Sequence, residues 1–128
     1  MLKDLVVKNR SYRGFDESVK VSEETLKELV ELTRYVASGA NLQPLKYRLV
    51  YKPEEVAALN KITNWAKMLS AMVLPHEGQY PAAYIAVCVD TTIVSNIDGV
   101  GPEIGIAAQT ILLGAEKGLG GCMLDRKS

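Results

Sequence analysis

The chain has 128 residues, 48% hydrophobic and 23% charged, which fits one globular domain and excludes intrinsic disorder. Its 15 Lys and Arg balance 15 Asp and Glu, so the formal net charge is zero and the basic excess of a general nucleic-acid binder is missing. Aromatic residues are only 6%, so the core has to be mostly aliphatic.

Leu2, Leu5 and Val6 share a helical face, which predicts a short helix over 2–9. A polar loop, 10–21, follows. Ser22 can cap the next helix, Glu23 and Glu24 suit its positive N-terminal end, and Leu26, Leu29, Val30, Thr33, Val36 and Ala37 carry the 3.6-residue period. An amphipathic helix is therefore expected over 23–37, stopped by Gly39. The alternating LKYRLVY predicts a strand over 45–51. Pro53, Glu54 and Glu55 open another helix, which Val56, Leu59, Ile62 and Leu69 extend, with a break near Asn64. VLPHEGQYP is a loop. AAYIAVCVD, 82–90, is a continuous apolar run with β-branched residues and is expected to be a buried strand.

After a loop marked by Asn96, Asp98 and Gly99, the segment 101–118 starts with Pro102 and Glu103 and stops at Lys117 and Gly118. Its apolar residues cover most of the helical circumference, so this helix belongs in a protein centre or an interface. A chain of this size has little to cover it with, and a homodimer is the simplest remedy. Residues 119–124 read as a final short strand or loop edge.

Cys88 and Cys122 lie far apart in apolar stretches, form no metal-ligand spacing, and are expected to be buried free thiols in a reducing compartment. The charged N-terminus does not read as a signal peptide, and the longest apolar run, Ile104 to Ala115, is too short to span a bilayer. The expectation is a cytoplasmic protein with no metal, nucleic-acid or membrane partner.

Three segments carry possible chemistry. In NRSYR, 9–13, two guanidiniums and a hydroxyl can hold an anion, and Arg forks suit phosphate; the alternative is two solvated surface arginines. In ASGANLQP, 37–44, the Asn and Gln amides both donate and accept, which suits the edge of a heteroaromatic ring; the alternative is a helix cap and turn. GLGGCM, 118–123, follows a helix rather than a strand, which argues against a dinucleotide fingerprint, although its glycines would let a backbone approach a flat ligand. His76 sits alone in a Pro/Gly loop with no partners for catalysis, and Trp65, Tyr80 and Tyr84 read as packing residues.

Taken in order, NRSYRGF (9–15), ASGANLQP (37–44) and EIGIAAQTILLGAEKGLGGCM (103–123) resemble the patterns R-R-S-x-R-x-F, P-S-x-x-N-x-Q-P-W and D-x-G-x-A-x-Q-x-x-x-L-x-A-x-x-x-G-L-G of the nitroreductase family of FMN-dependent oxidoreductases. Asn9, Ala37, Leu45 and Glu103 depart from the patterns, where Arg, Pro, Trp and Asp are usual. The resemblance implies an α+β fold with a central, mainly antiparallel sheet flanked by helices, in a single domain over 1–128 that ends before the family's C-terminal segment. It implies an intertwined homodimer with FMN at the subunit interface. Arg10, Ser11 and Arg13 would grip the phosphate and ribityl chain. Ser38, Gly39, Asn41 and Gln43 would reach the partner subunit's flavin. Gly121, Met123, Leu124 and Asp125 would lie along the flavin ring edge.

The activity implied is electron transfer from NAD(P)H through FMN to a nitroaromatic, a quinone or a similar small acceptor. The cofactor supplies the chemistry and no catalytic side chain is assigned. Two other readings stay open: a non-enzymatic flavin-binding or structural dimer, and a small-anion-binding module without flavin.

Overall fold

Residues 1–125, which a computed structural model describes, alternate helices with a pair of strands. The order is α1 (Leu2–Lys8), α2 (Glu23–Glu31), β1 (Leu45–Val50), α3 (Pro53–Ile62), β2 (Tyr84–Val89) and α4 (Gly101–Ala115). Short 3-10 helices lie at Leu32–Tyr35, Gly39–Asn41 and Ile97–Val100. The architecture is α+β.

α2 starts as its sequence dictates, with the Ser22 hydroxyl accepting the Thr25 N–H at 3.1 Å. It ends earlier than its periodicity predicts. The chain tightens to a 3-10 helix at Leu32 and is extended by Val36, so Gly39 does not cap it. Thr33 supplies a physical reason: its hydroxyl donates to the Val30 carbonyl at 2.6 Å, competing with the regular helical ladder.

β1 and β2 pair antiparallel, with Leu45 opposite Val89 and Val50 opposite Tyr84. In β1, Leu45, Tyr47 and Leu49 turn inward while Lys46 and Arg48 face solvent. That register corrects two expectations. Lys46 stands opposite Cys88, so Cys88 lies on the outer face and is exposed rather than buried. Cys122 is half-buried, and both thiols are free. β2 itself is half-buried, because β1 is its one strand neighbour among the described residues.

α3 stops at Ile62, and its C-terminal N–H, from Thr63, bonds the Leu59 carbonyl. Beyond it, buried Trp65 meets Phe15 edge-on at 6.0 Å between ring centres and donates its indole N–H to Thr63.

α4 is the axis of the molecule. Ala107, Ala108, Ile111 and Ala115 are buried, and α2 with its 3-10 extension packs against it. Gly114 makes the approach possible: a Cβ there would collide with Leu32 and stand 3.2 Å from a Leu29 methyl. At Gly105 a Cβ would meet nothing within 4 Å. Leu26, Val50, Val56 and Val100 complete an aliphatic core. Ile106, by contrast, is 41% exposed, so α4 keeps an uncovered apolar side. Among the described residues no helix is long and apolar enough to cross a membrane.

Candidate functional site

The chain leaves α1 at Asn9 in an extended conformation and runs along the last turns of α4. The Asn9 amide stitches the two together. Its Nδ2 donates to the Leu112 carbonyl at 3.3 Å and to Glu116 Oε2 at 3.2 Å, while its Oδ1 accepts from Gln109 Nε2 at 3.0 Å. Three residues on, Tyr12 is held from both ends. Its hydroxyl donates to Glu116 Oε1 at 3.1 Å and its backbone N–H to the Gly121 carbonyl at 3.0 Å. The bond to Glu116, followed by burial, raises the Tyr12 hydroxyl above the usual tyrosine range.

Between these fixed points lie Arg10 and Ser11, both exposed. With Val6, Asn9, Gln109 and Leu112 they line a cavity of about 300 Å³. Neither Arg10 nor Arg13 takes part in the salt bridges found among the described residues. Arg13 is half-buried and does not line this cavity.

The 118–123 segment arrives at the same place. Ser11 and Gly121 form an isolated parallel bridge, and Gly120 lies so close to Tyr12 that a Cβ would stand 2.6 Å from the ring. Residues 119–124 are therefore a loop edge carrying a single bridge. Met123 and Asp125 are exposed beyond it, with Leu124 half-buried between them.

The 37–44 segment is built at the opposite end of α4. Glu103, in the first turn, accepts from the Ser38 hydroxyl at 2.9 Å and from the Gly39 N–H at 3.2 Å. Ser38 in turn accepts the Gln43 N–H at 3.0 Å. Held this way, the turn runs through left-handed backbone at Ala40 (φ 51°), Asn41 (φ 54°) and Gln43 (φ 50°). Asn tolerates that region, whereas Ala reaches it at a cost. The exposed Asn41 and Gln43 amides bond each other, Nε2 to Oδ1, at 2.6 Å. Ser38, Gln43 and Glu103 also line a groove of about 580 Å³ beside β1 and α2.

The fold thus gathers Arg10, Ser11 and Gly121 at one end of α4 and Ser38, Gly39, Asn41 and Gln43 at the other. The two anchoring carboxyls, Glu103 and Glu116, are separated by about 20 Å at 1.5 Å per helical residue. Sequence reasoning missed Glu116 and Gln109 as anchors. A signal was present, since Gln109 and Glu116 are seven residues apart and put two polar side chains on one face of an apolar helix. Among the described residues no group of three His, Cys, Asp or Glu could hold a metal ion.

Comparison with known proteins gives this arrangement a lineage. The family model for the nitroreductase family matches residues 6–83, more than half of the chain. The chain belongs to the nitroreductase family. The matched stretch holds both 9–15 and 37–44, and the contacts Ser11–Gly121 and Ser38–Glu103 tie the 103–123 segment to them. No curated protein matches the chain.

Among solved structures the nitroreductase-like fold recurs. A candidate NADH dehydrogenase/NAD(P)H nitroreductase from Parabacteroides distasonis is 21% identical with a TM-score of 0.68, over 90% of this chain and 61% of its own. The NADPH:FMN oxidoreductase from Vibrio harveyi, complexed with NAD+, is 22% identical with a TM-score of 0.66, over 92% of this chain and 53% of its own. A candidate nitroreductase from Exiguobacterium sibiricum, in complex with FMN, is 18% identical with a TM-score of 0.64, over 91% and 70%. These likenesses establish a shared fold. The chain spans about three fifths of the Parabacteroides protein and about half of the Vibrio enzyme.

Proposed function

We propose that this nitroreductase-family chain is an FMN-dependent oxidoreductase that passes electrons from NAD(P)H to a nitroaromatic, a quinone or a similar small acceptor, and that it works as a cytoplasmic homodimer. The observation that carries the reading is the exposed pair Arg10 and Ser11, held on the rim of a cavity by Asn9, Tyr12 and Gly121. A guanidinium, a hydroxyl and flanking amides are the donor set that a phosphate monoester on a polyol chain needs. The residues present fit FMN at that end.

In this reading Arg10 and Ser11 hold the phosphate, and Arg13, one residue beyond Tyr12, contributes to the phosphate or the ribityl chain. Gly121, Met123, Leu124 and Asp125 border the ring. FMN, when bound, supplies the redox chemistry, and the protein binds, orients and shields it. A cavity of about 300 Å³ is at the small end for a ligand pocket. That size, and the separation of the two clusters along α4, support a site shared between subunits, with Ser38, Gly39, Asn41 and Gln43 completing the partner's pocket. The uncovered apolar side of α4 supports the same assembly.

Absorbance of the purified protein in the flavin bands, with and without added FMN, is the first test. The second compares Arg10→Ala with wild type. A charge-assisted hydrogen bond contributes about 1.5–3 kcal/mol, so FMN affinity should fall about ten- to a hundredfold. Riboflavin, which lacks the phosphate, should be nearly unaffected. Equal losses for both ligands would remove Arg10 from the phosphate site. Flavin binding without NAD(P)H oxidation by a quinone would leave a non-enzymatic flavin-binding protein.

A further inference from the structure

Glu116 is 5% exposed, the one buried charged side chain among the described residues. Burying a carboxyl is unfavourable unless donors meet it. Both of its donors, Asn9 Nδ2 and Tyr12 Oη, come from the segment that carries Arg10 and Ser11, one from each side of that pair. Asn9 is fixed further by Gln109 and the Leu112 carbonyl, and Tyr12 by Gly121. The 9–12 segment therefore cannot slide along α4 without breaking a bond to Glu116. Packing alone does not call for a carboxyl, since a buried polar set exchanged as a whole for hydrophobic groups of similar volume is often neutral or stabilising, whereas removing Glu116 by itself leaves the Asn9 and Tyr12 donors unpaired. What a carboxyl adds is two acceptor atoms in fixed directions.

We propose that Glu116 is the positioning residue of the anion-binding segment: it sets Arg10 and Ser11 against the cavity and thereby determines the preference for a phosphorylated flavin over the unphosphorylated one. This rests on the reading of Arg10 and Ser11 as phosphate donors. Glu116 does not touch the ligand; it acts through Asn9 and Tyr12.

The test uses the purified full chain and two readouts. The first is the ratio of FMN to riboflavin affinity, measured by fluorescence titration. The second is hydrogen exchange of the amides of 10–13 in the flavin-free protein. Glu116→Leu, which keeps side-chain volume, should lower the affinity ratio by about tenfold or more and speed exchange at 10–13, while protection within 104–111 is retained. Glu116→Gln, whose carbonyl can still accept from Tyr12, should recover most of the ratio. Tyr12→Phe, which leaves the ring on Gly120, should produce a smaller loss in the same direction, and these two variants serve if Glu116→Leu fails to fold.

Unchanged exchange at 10–13 overturns the positioning role whatever the flavin does. So does an unchanged ratio in a protein whose 10–13 segment has loosened. If Arg10→Ala keeps the full preference for FMN, it is the phosphate reading that fails, and the part of the proposal concerning flavin choice is overturned with it. The exchange result then decides separately whether Glu116 holds the segment.

Discussion

Gly120 and Tyr12 show how a single hydrogen atom in place of a side chain holds a site together. A Cβ at Gly120 would stand 2.6 Å from Tyr12 Cδ2 and 3.0 Å from Cε2. The ring cannot swing aside freely, because its hydroxyl is bonded to Glu116. Gly120→Ala should therefore cost about 1–3 kcal/mol, as overpacking does. Gly118→Ala, where a Cβ meets nothing within 4 Å, is the control. Thermal melting of the two variants checks the argument, and equal melting temperatures would mean that the ring yields. At this scale the sequence was only partly legible. The ingredients of the first segment, Arg10 and Ser11, stand out as phosphate donors by residue type. Asn9 stands out only as a departure from a family pattern, although it joins two helices. Its contacts with Leu112, Glu116 and Gln109 span 103, 107 and 100 positions, and no local spacing encodes them. The left-handed backbone at Ala40 is equally silent, because alanine does not advertise it.

Among the elements, α4 was the most legible, since Pro102 and the 117–118 stop bracket an apolar run interrupted only by Gln109 and Thr110. α2 was legible at its Ser22 cap but not at its end, where the competing Thr33 hydroxyl decides. The burial of β2 was misjudged because a run of apolar residues reports preference, not neighbours, and β1 covers one edge of it. α4 also yields the prediction for assembly. Ile111 is 8% exposed and Ile106 is 41% exposed on the same helix. Ile111→Lys should unfold the subunit, because it buries an unpaired charge. Ile106→Lys should leave the subunit folded and weaken the proposed homodimer. Circular dichroism checks the fold, and light scattering at micromolar concentration reads the assembly. An Ile106→Lys protein that remains as dimeric as wild type would place the interface elsewhere.

For the whole molecule, the question is whether the two ends of α4 serve one pocket or two. If Asn41 completes the partner's site, Asn41→Ala and Arg10→Ala proteins should each fold and lose FMN. Mixing them should restore binding in part. One pocket of a mixed dimer carries both defects and the other carries neither. Flavin fluorescence after confirmed subunit exchange reads the result. If the mixture binds no more FMN than its parents, Asn41 and Arg10 do not meet across an interface, and the 38–43 turn serves its own subunit. The α+β class was legible through the family resemblance of the three motifs, whereas the local patterns gave the helices and two strands without saying how they are arranged. The pairing of distant segments through Glu103 and Glu116 was not, because it arises only once α4 is packed.

The anchoring of both segments to α4 also bears on how such a protein can change its length. One residue added between Glu103 and Gln109 would turn everything beyond it by about 100° and advance it by about 1.5 Å. Glu116 would then face away from Asn9 and Tyr12 while Glu103 still faced Ser38. Lengthening a surface loop such as 90–96 disturbs no such phase and costs little closure entropy. Insertions and deletions in descendants of this chain should therefore collect in the loops and leave the spacing from 103 to 116 intact.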